Sequence, residues 1–312
     1  MRSFHLPHVV ESQQFDRDLL DTVFQVADEM KADLGAQPRR FERALESKIM
    51  ASLFYEPSTR TRFSFESAMK RLGGRIITTE NAKEFSSAAK GESLVDSTRI
   101  IGGYADIIVM RHHEAGSAIR AAEVSRIPII NAGDGPGQHP TQALLDLYTI
   151  KDNCHRIEGV KIAMVGDLKY GRTVRSLAYL LAKYQDIEIF FVSPPVCRMD
   201  EDIKTYLDRH EVVWREEELL DKILPVVDCV YMTRIQKERF NDPQDYEAAA
   251  GKYILDLPRV QLMKPDAIIM HPLPRVDEIP PEVDADPRAR YFQQARNGLY
   301  VRMALLYLLL HQ

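Results

Sequence analysis

Residues 161–192, KIAMVGDLKYGRTVRSLAYLLAKYQDIEIFFV, hold a strand, a helix and a second strand in one run. Ile162, Ala163, Met164 and Val165 are continuously apolar, the pattern of a strand buried on both faces. Residues 173–184 read as a helix, and 187–192 return to an apolar strand. Apolar strands alternating with helices imply a parallel sheet covered on both sides. Toward the C-terminus the rhythm continues with a helix at 200–209, strands at 229–233 and 267–271, and a last helix at 297–310. Toward the N-terminus, beyond the polar stretch 151–159, an earlier set has the same character. It comprises a strand at 49–55, a helix at 61–72 stopped by Gly73 and Gly74, and a strand at 74–79. An amphipathic run at 94–104, strands at 105–110 and 127–131 and a turn at 133–137 follow. A helix then opens at Pro140, where proline has no N–H to lose. The expectation is an α/β chain of two doubly wound parallel-sheet domains.

The 312 residues give room for two such domains. Lys and Arg number 41 against 46 Asp and Glu, a net charge of −5, with 45% hydrophobic residues. That balance argues against a nucleic-acid reader or a polybasic membrane binder. Cys154, Cys197 and Cys229 are odd in number and lack a Cys-x-x-Cys pair, so a reducing compartment without disulfides is expected. No apolar run is long enough to span a bilayer and no address is visible. The expected location is therefore the cytoplasm, or the plastid stroma if a transit segment has been removed.

In doubly wound sheets ligands bind beyond the carboxyl ends of strands, so residues there carry the functional argument. Ser58, Thr59, Arg60, Thr61 and Arg62 lie between a strand and a helix. Free N–H groups at a helix start, three hydroxyls and two arginines suit a phosphate. Arg111 closes the strand at 105–110 and can point a cation into the same crevice. His139, held extended before Pro140, is placed for an oxyanion donor or proton shuttle, with Gln142 one turn on. Residues 166–173, GDLKYGRT, nearly spell a phosphate-binding Walker A loop. Arg172 replaces its lysine, however, and an arginine at a helix start is better used on a carboxylate fork. Arg234 with Gln236 reads as a second carboxylate clamp. Pro272 and Pro274 fix an unusual loop whose carbonyls can accept from an amine. Ser86 and Lys90 lie in a small-residue loop. Without a nucleophilic cysteine, metal cluster or Gly-x-Gly-x-x-Gly, the set favours group transfer by positioning and oxyanion stabilisation, with no cofactor.

As a set these motifs resemble the carbamoyltransferase family over essentially the whole length. The Ser58 to Arg62 run and His139-Pro140-Thr141-Gln142 match its signatures. His271-Pro272-Leu273-Pro274-Arg275 and Thr233-Arg234-Ile235-Gln236 match its aspartate branch. An ornithine member is expected to carry cysteine where Pro272 stands. Stretches 55–90 and 175–186 look most like plant members. The resemblance implies transfer of the carbamoyl group from carbamoyl phosphate to L-aspartate, the committed step of pyrimidine synthesis. It implies a carbamoyl-phosphate-binding domain at 1–141 with 297–312, the last helix returning to the first domain, and an aspartate-binding domain at 142–296. Ser58, Thr59, Arg60 and Thr61 would hold the phosphate. Thr61, Arg111 and His139 would polarise the carbonyl, and Gln142 would bind the carbamoyl amide. Arg172, Arg234 and Gln236 would grip the aspartate carboxylates, with Pro272 and Leu273 near its amine. Ser86 and Lys90 would reach a neighbour's site in a homotrimer, Lys90 touching aspartate, and a regulatory chain or dihydroorotase would be possible partners. Glu56 is expected to organise the interdomain arginines. The competing readings are a transcarbamoylase for another amine such as ornithine, and a non-catalytic assembly partner of the same fold.

Overall fold

The computed structural model describes residues 4–82, 91–235, 243–249 and 251–311. The chain divides into two compact units, Met1–Leu145 with Arg296–Gln312, and Asp146–Ala295.

The first unit holds a four-stranded parallel sheet of β1 (Ile49–Phe54), β2 (Arg75–Glu80), β3 (Ile107–His112) and β4 (Ile129–Asp134), in the order β2-β1-β3-β4. β1 and β4 are buried along almost their whole length, and β1 accordingly reads as a largely apolar run. Each fully buried Val, Ile or Leu contributes ~1.5–3 kcal/mol of apolar transfer. The open edge at β4 is covered by the N-terminal segment. Val9 donates to Ile129 O at 2.8 Å and accepts from Asn131 N at 2.8 Å. The helix Thr59–Arg71 is pinned to the sheet by Glu66, whose carboxylate accepts from Ser52 Oγ at 3.2 Å and Thr78 Oγ1 at 2.8 Å. On its other side the buried Arg302 donates to Ser64 Oγ at 2.6 Å and lies 5.0 Å from the Phe65 ring.

The second unit holds a five-stranded parallel sheet of β5 (Lys161–Val165), β6 (Glu188–Val192), β7 (Val213–Glu217), β8 (Cys229–Met232) and β9 (Ile268–Met270), in the order β7-β6-β5-β8-β9. Val165, Val192, Val230, Met232 and Ile269 share one core cluster with Leu220, Leu255 and Tyr291.

The two expected parallel sheets are present. Several elements were not expected, among them one strand and two helices. β7, Val-Trp-Arg-Glu-Glu, is an edge strand without a fully buried residue, so it lacks an apolar run. The helix Arg17–Asp33 precedes the stretch that the strand–helix rhythm covers, with Asp16 capping it through Leu19 N at 2.8 Å. Ser117–Val124 forms a short helix entered through Gly116 at φ 75°. The last helix opens at Tyr291 rather than at 297, because Tyr291 and Gln294 are buried parts of it.

Both sheets have a topological switch point, where consecutive connections leave a central strand in opposite directions. In the first the chain runs from β1 outward to β2 and then crosses to β3. In the second it runs from β5 through β6 to β7 and then crosses to β8. The crevices outside the carboxyl ends of β1 and β3, and of β5 and β8, are where such sheets take ligands.

Candidate active site

At the first switch point, residues 55–58 leave β1 and enter the helix Thr59–Arg71. Ser58 is the N-cap by backbone (φ −159°, ψ 95°), yet its hydroxyl makes no capping bond. The helix start thus keeps both that hydroxyl and its first N–H groups for another acceptor. Thr61 is buried in the first turn and Arg60 stands beside it. Arg111 is delivered by β3, where Phe54 pairs with Arg111 in register and Tyr55 donates to Arg111 O at 2.9 Å. Its Nε lies 3.4 Å from Glu56 Oε2. Burial pushes the Arg111 pKa down and the nearby Arg60 charge adds to the fall, while Glu56 opposes both. Burial lowers Arg60 as well. Two partly desolvated guanidinium groups that feel each other's charge form a locus that favours an anion.

His139 is buried, with Nδ1 3.5 Å from Thr141 Oγ1, immediately before Pro140 opens the helix Pro140–Cys154. The turn before it is held by Asp134, whose side chain accepts from Gln138 N at 2.7 Å and Gly116 N at 2.8 Å. Gly135 at φ 53° lets the turn close, since a Cβ there would lie 2.1 Å from His113 O. Gln138 ties the turn to the N-terminal segment by accepting from Ser12 N at 2.8 Å. Gln142 donates its backbone N–H to His139 O at 3.0 Å, in the first turn of that helix.

Not every residue of these runs joins the set. Arg62 turns away and pairs with Glu80 Oε2 at 2.8 Å. His112 stacks on His113, accepts from Glu114 N at 3.1 Å through Nδ1, and has its pKa lowered by burial first and then by His113. Glu56 pairs with Arg111 within the first unit.

At the second switch point, Arg172 opens the helix Arg172–Leu181 after β5, and Arg234 follows β8 by two residues. Thr233 fastens the two strand ends together. Its Oγ1 donates to Val165 O at 2.8 Å and accepts from Asp167 N at 3.0 Å. Gly166 at φ 109° allows this, since a Cβ would lie 2.5 Å from Thr233 O. The loop 166–171 is no phosphate cradle. Gly166 donates to Val192 O, Leu168 and Lys169 to Cys197 O, and Tyr170 to Asp167 Oδ1, so the N–H groups a Walker A loop offers are already committed. After β9, Pro272 and Leu273 are half-buried, with Leu273 at φ 56°. Arg275 is engaged by Asp284 and by Tyr291 Oη at 2.8 Å. Ser86, Lys90 and Gln236 lie outside the described residues.

Among the described residues no group of three His, Cys, Asp or Glu side chains is placed to hold a metal ion, and no helix is long and apolar enough to cross a membrane. Burial pushes the Cys154 thiol up to about 11 and Cys229 well above the ordinary thiol range, so neither is an activated nucleophile.

Residues 7–152 match the family model "Aspartate/ornithine carbamoyltransferase, carbamoyl-P binding domain". Residues 158–309 match "Aspartate/ornithine carbamoyltransferase, Asp/Orn binding domain". Similar proteins include the chloroplastic aspartate carbamoyltransferase of Oryza sativa subsp. japonica, 59% identical over 99% of this chain and 86% of that one. The aspartate carbamoyltransferase catalytic subunit of Methanocaldococcus jannaschii is 51% identical over 96% of this chain and 97% of its own. Among solved structures, the catalytic subunit of M. jannaschii aspartate transcarbamoylase superposes with a TM-score of 0.91 at 50% identity, covering 98% of both chains. Aspartate transcarbamoylase from Trypanosoma cruzi in complex with carbamoyl phosphate and aspartate gives 0.92 at 40% identity, covering 97% of this chain and 96% of that one.

Proposed function

The chain belongs to the aspartate/ornithine carbamoyltransferase family, and we propose that it transfers the carbamoyl group of carbamoyl phosphate to the amine of L-aspartate. The products are N-carbamoyl-L-aspartate and phosphate, and the step is the committed one of pyrimidine synthesis. The observation that carries this reading is that each sheet has its cations at its own switch point: Arg60 and Arg111 in the first unit, Arg172 and Arg234 in the second. Aspartate is favoured over ornithine because Arg172 and Arg234 suit a dicarboxylate, while a cationic acceptor calls for an acid. Pro272 in place of cysteine and the names of the closely similar relatives support the same choice.

In this mechanism Ser58, Thr59, Arg60 and Thr61 hold the phosphate, and Gln142 holds the carbamoyl amide. The aspartate amine attacks the carbamoyl carbon, forming the C–N bond. The negative charge that develops on the carbonyl oxygen is met by Arg111, His139 and the Thr61 hydroxyl, donors fixed before the reaction begins. The C–O bond to phosphate then breaks, and the departing phosphate carries off the amine proton. Arg172 and Arg234, with Gln236, grip the acceptor carboxylates, and the Pro272 and Leu273 carbonyls orient its amine. For assembly we infer a homotrimer in which Ser86 and Lys90 serve a neighbouring site. Large apolar side chains left open in the first unit, Phe63 (54% exposed) and Tyr104 (65%), support a partner there. For location we infer an aqueous compartment, plastid stroma or cytoplasm.

The test is carbamoyl transfer from carbamoyl phosphate to L-aspartate, with L-ornithine in parallel and no metal or nucleotide added. Turnover with aspartate alone is expected. Turnover with ornithine alone overturns the acceptor assignment, and silence with both moves the non-catalytic reading forward.

A further inference from the structure

Asp146 is a fully buried carboxylate of the second unit to which the mechanism gives no task. Its Oδ2 accepts from the Tyr231 hydroxyl at 2.7 Å and its Oδ1 from the Gln294 amide at 2.7 Å. A carboxylate taken out of water is costly unless such bonds replace hydration, and an apolar group of the same size would fill the space without that cost. What the bonds connect is therefore informative.

At one end, Thr173 also hydrogen-bonds the Tyr231 hydroxyl, and Thr173 follows Arg172 directly. Burial first, and then the Asp146 charge, push the Tyr231 pKa well up, so its phenol stays protonated and donates. Tyr231 lies in β8, three residues before Arg234. At the other end, Gln294 Oε1 accepts from His271 N at 2.8 Å. The His271 ring is itself fixed on both nitrogens. Nδ1 accepts from Leu273 N at 2.8 Å, which leaves the ring proton on Nε2, 2.7 Å from the Glu278 carboxylate that receives it. One buried network thus reaches three separate segments: the helix start with Arg172, the strand end before Arg234, and the loop of Pro272 and Leu273.

We propose that Asp146, Tyr231 and Gln294 are positioning residues that hold these three segments at the spacing a dicarboxylic amine acceptor requires. The inference rests on the assignment of Arg172, Arg234, Pro272 and Leu273 to the acceptor. A hydrogen-bonded network whose central members Asp146, Tyr231 and Gln294 are buried keeps them in one geometry where a purely apolar contact would let them slide.

Steady-state kinetics of the full chain carrying Tyr231→Phe, Gln294→Met or Asp146→Asn test this, with thermal melting recorded for each variant. The expected result is a KM for L-aspartate raised about tenfold, the usual size of a lost buried hydrogen bond. The KM for carbamoyl phosphate stays within about twofold on the same scale, and kcat falls less than the aspartate KM rises. Competitive inhibition by succinate, a dicarboxylate of similar span that cannot react, weakens by the same factor. A lower melting temperature with an unchanged aspartate KM, or equal rises in both KM values, would make the network merely structural and overturn the proposal. Should Asp146→Asn not fold, Tyr231→Phe, which removes one oxygen atom, decides alone. If the unsubstituted chain is inert toward aspartate, the functional reading itself fails. An active chain with unaltered variants sinks only this inference.

Discussion

Arg111 gives up much of its hydration inside the first unit, and Glu56 at 3.4 Å offsets only part of the loss, so its pKa remains below that of a solvated arginine. A bound anion would supply the missing charge, and in the proposed reaction the charge arrives with the phosphate and grows on the carbonyl oxygen. Arg60 contributes the second cation from a position with little packing to lose. Arg60→Ala is therefore expected to reduce kcat/KM by about 10²–10³, the range for removal of one preorganised donor, while circular dichroism and the melting temperature stay near those of the unsubstituted chain. Wild-type-like kinetics would count against the phosphate assignment. The Ser58 to Arg62 run was legible because its residues are contiguous and follow an apolar strand. That Arg62 leaves the set was not legible. Its partner Glu80 ends β2, opposite Phe54, and only the pairing register brings the two together.

Turns and loops set the geometry between those residues, and two of them depend on glycine. Gly135→Ala places a methyl carbon 2.1 Å from His113 O at φ 53°. It should cost about 2 kcal/mol or more, read as a lower urea midpoint, and should displace the turn that leads to His139. An unchanged midpoint would show that the turn relaxes freely. At the second sheet, Asp228 lies just before β8. Burial raises its pKa, but bonds from Lys161 N at 3.0 Å and Lys264 Nζ at 2.7 Å, with Arg156 nearby, lower it further, and the net shift is downward. A carboxylate depressed in the folded state stabilises above its unfolded pKa, and that contribution is lost as pH falls through the folded value. The melting temperature should therefore drop as pH goes below the ordinary aspartate value of about 4. Asp228→Asn should be less stable at neutral pH and show a shallower acid decline, whereas an equally steep decline would remove Asp228 from the account. Buried strands such as β5 were readable because both faces demand apolar residues. β7 was not, because an edge strand with exposed Arg215 and Glu216 looks like any polar segment.

In the whole chain one arrangement occurs twice, a parallel sheet with cations beyond the carboxyl ends of the two strands at its switch point. The alternation of apolar strands and helices made both sheets legible. The resemblance, carried by four short motifs, singled out the residues at their ends. What could not be read was the support behind them, from Asp134 under the His139 turn to the Asp146, Tyr231 and Gln294 network. Their bonded partners lie up to 148 positions apart and carry no local pattern. The central claim is that each sheet holds one substrate. It is tested most directly by calorimetric titration of freshly prepared carbamoyl phosphate into Arg60→Ala and Arg172→Ala in parallel. Arg60→Ala is expected to lose most of the affinity while Arg172→Ala binds like the unsubstituted chain. Equal loss in both variants, or loss only in Arg172→Ala, would contradict it.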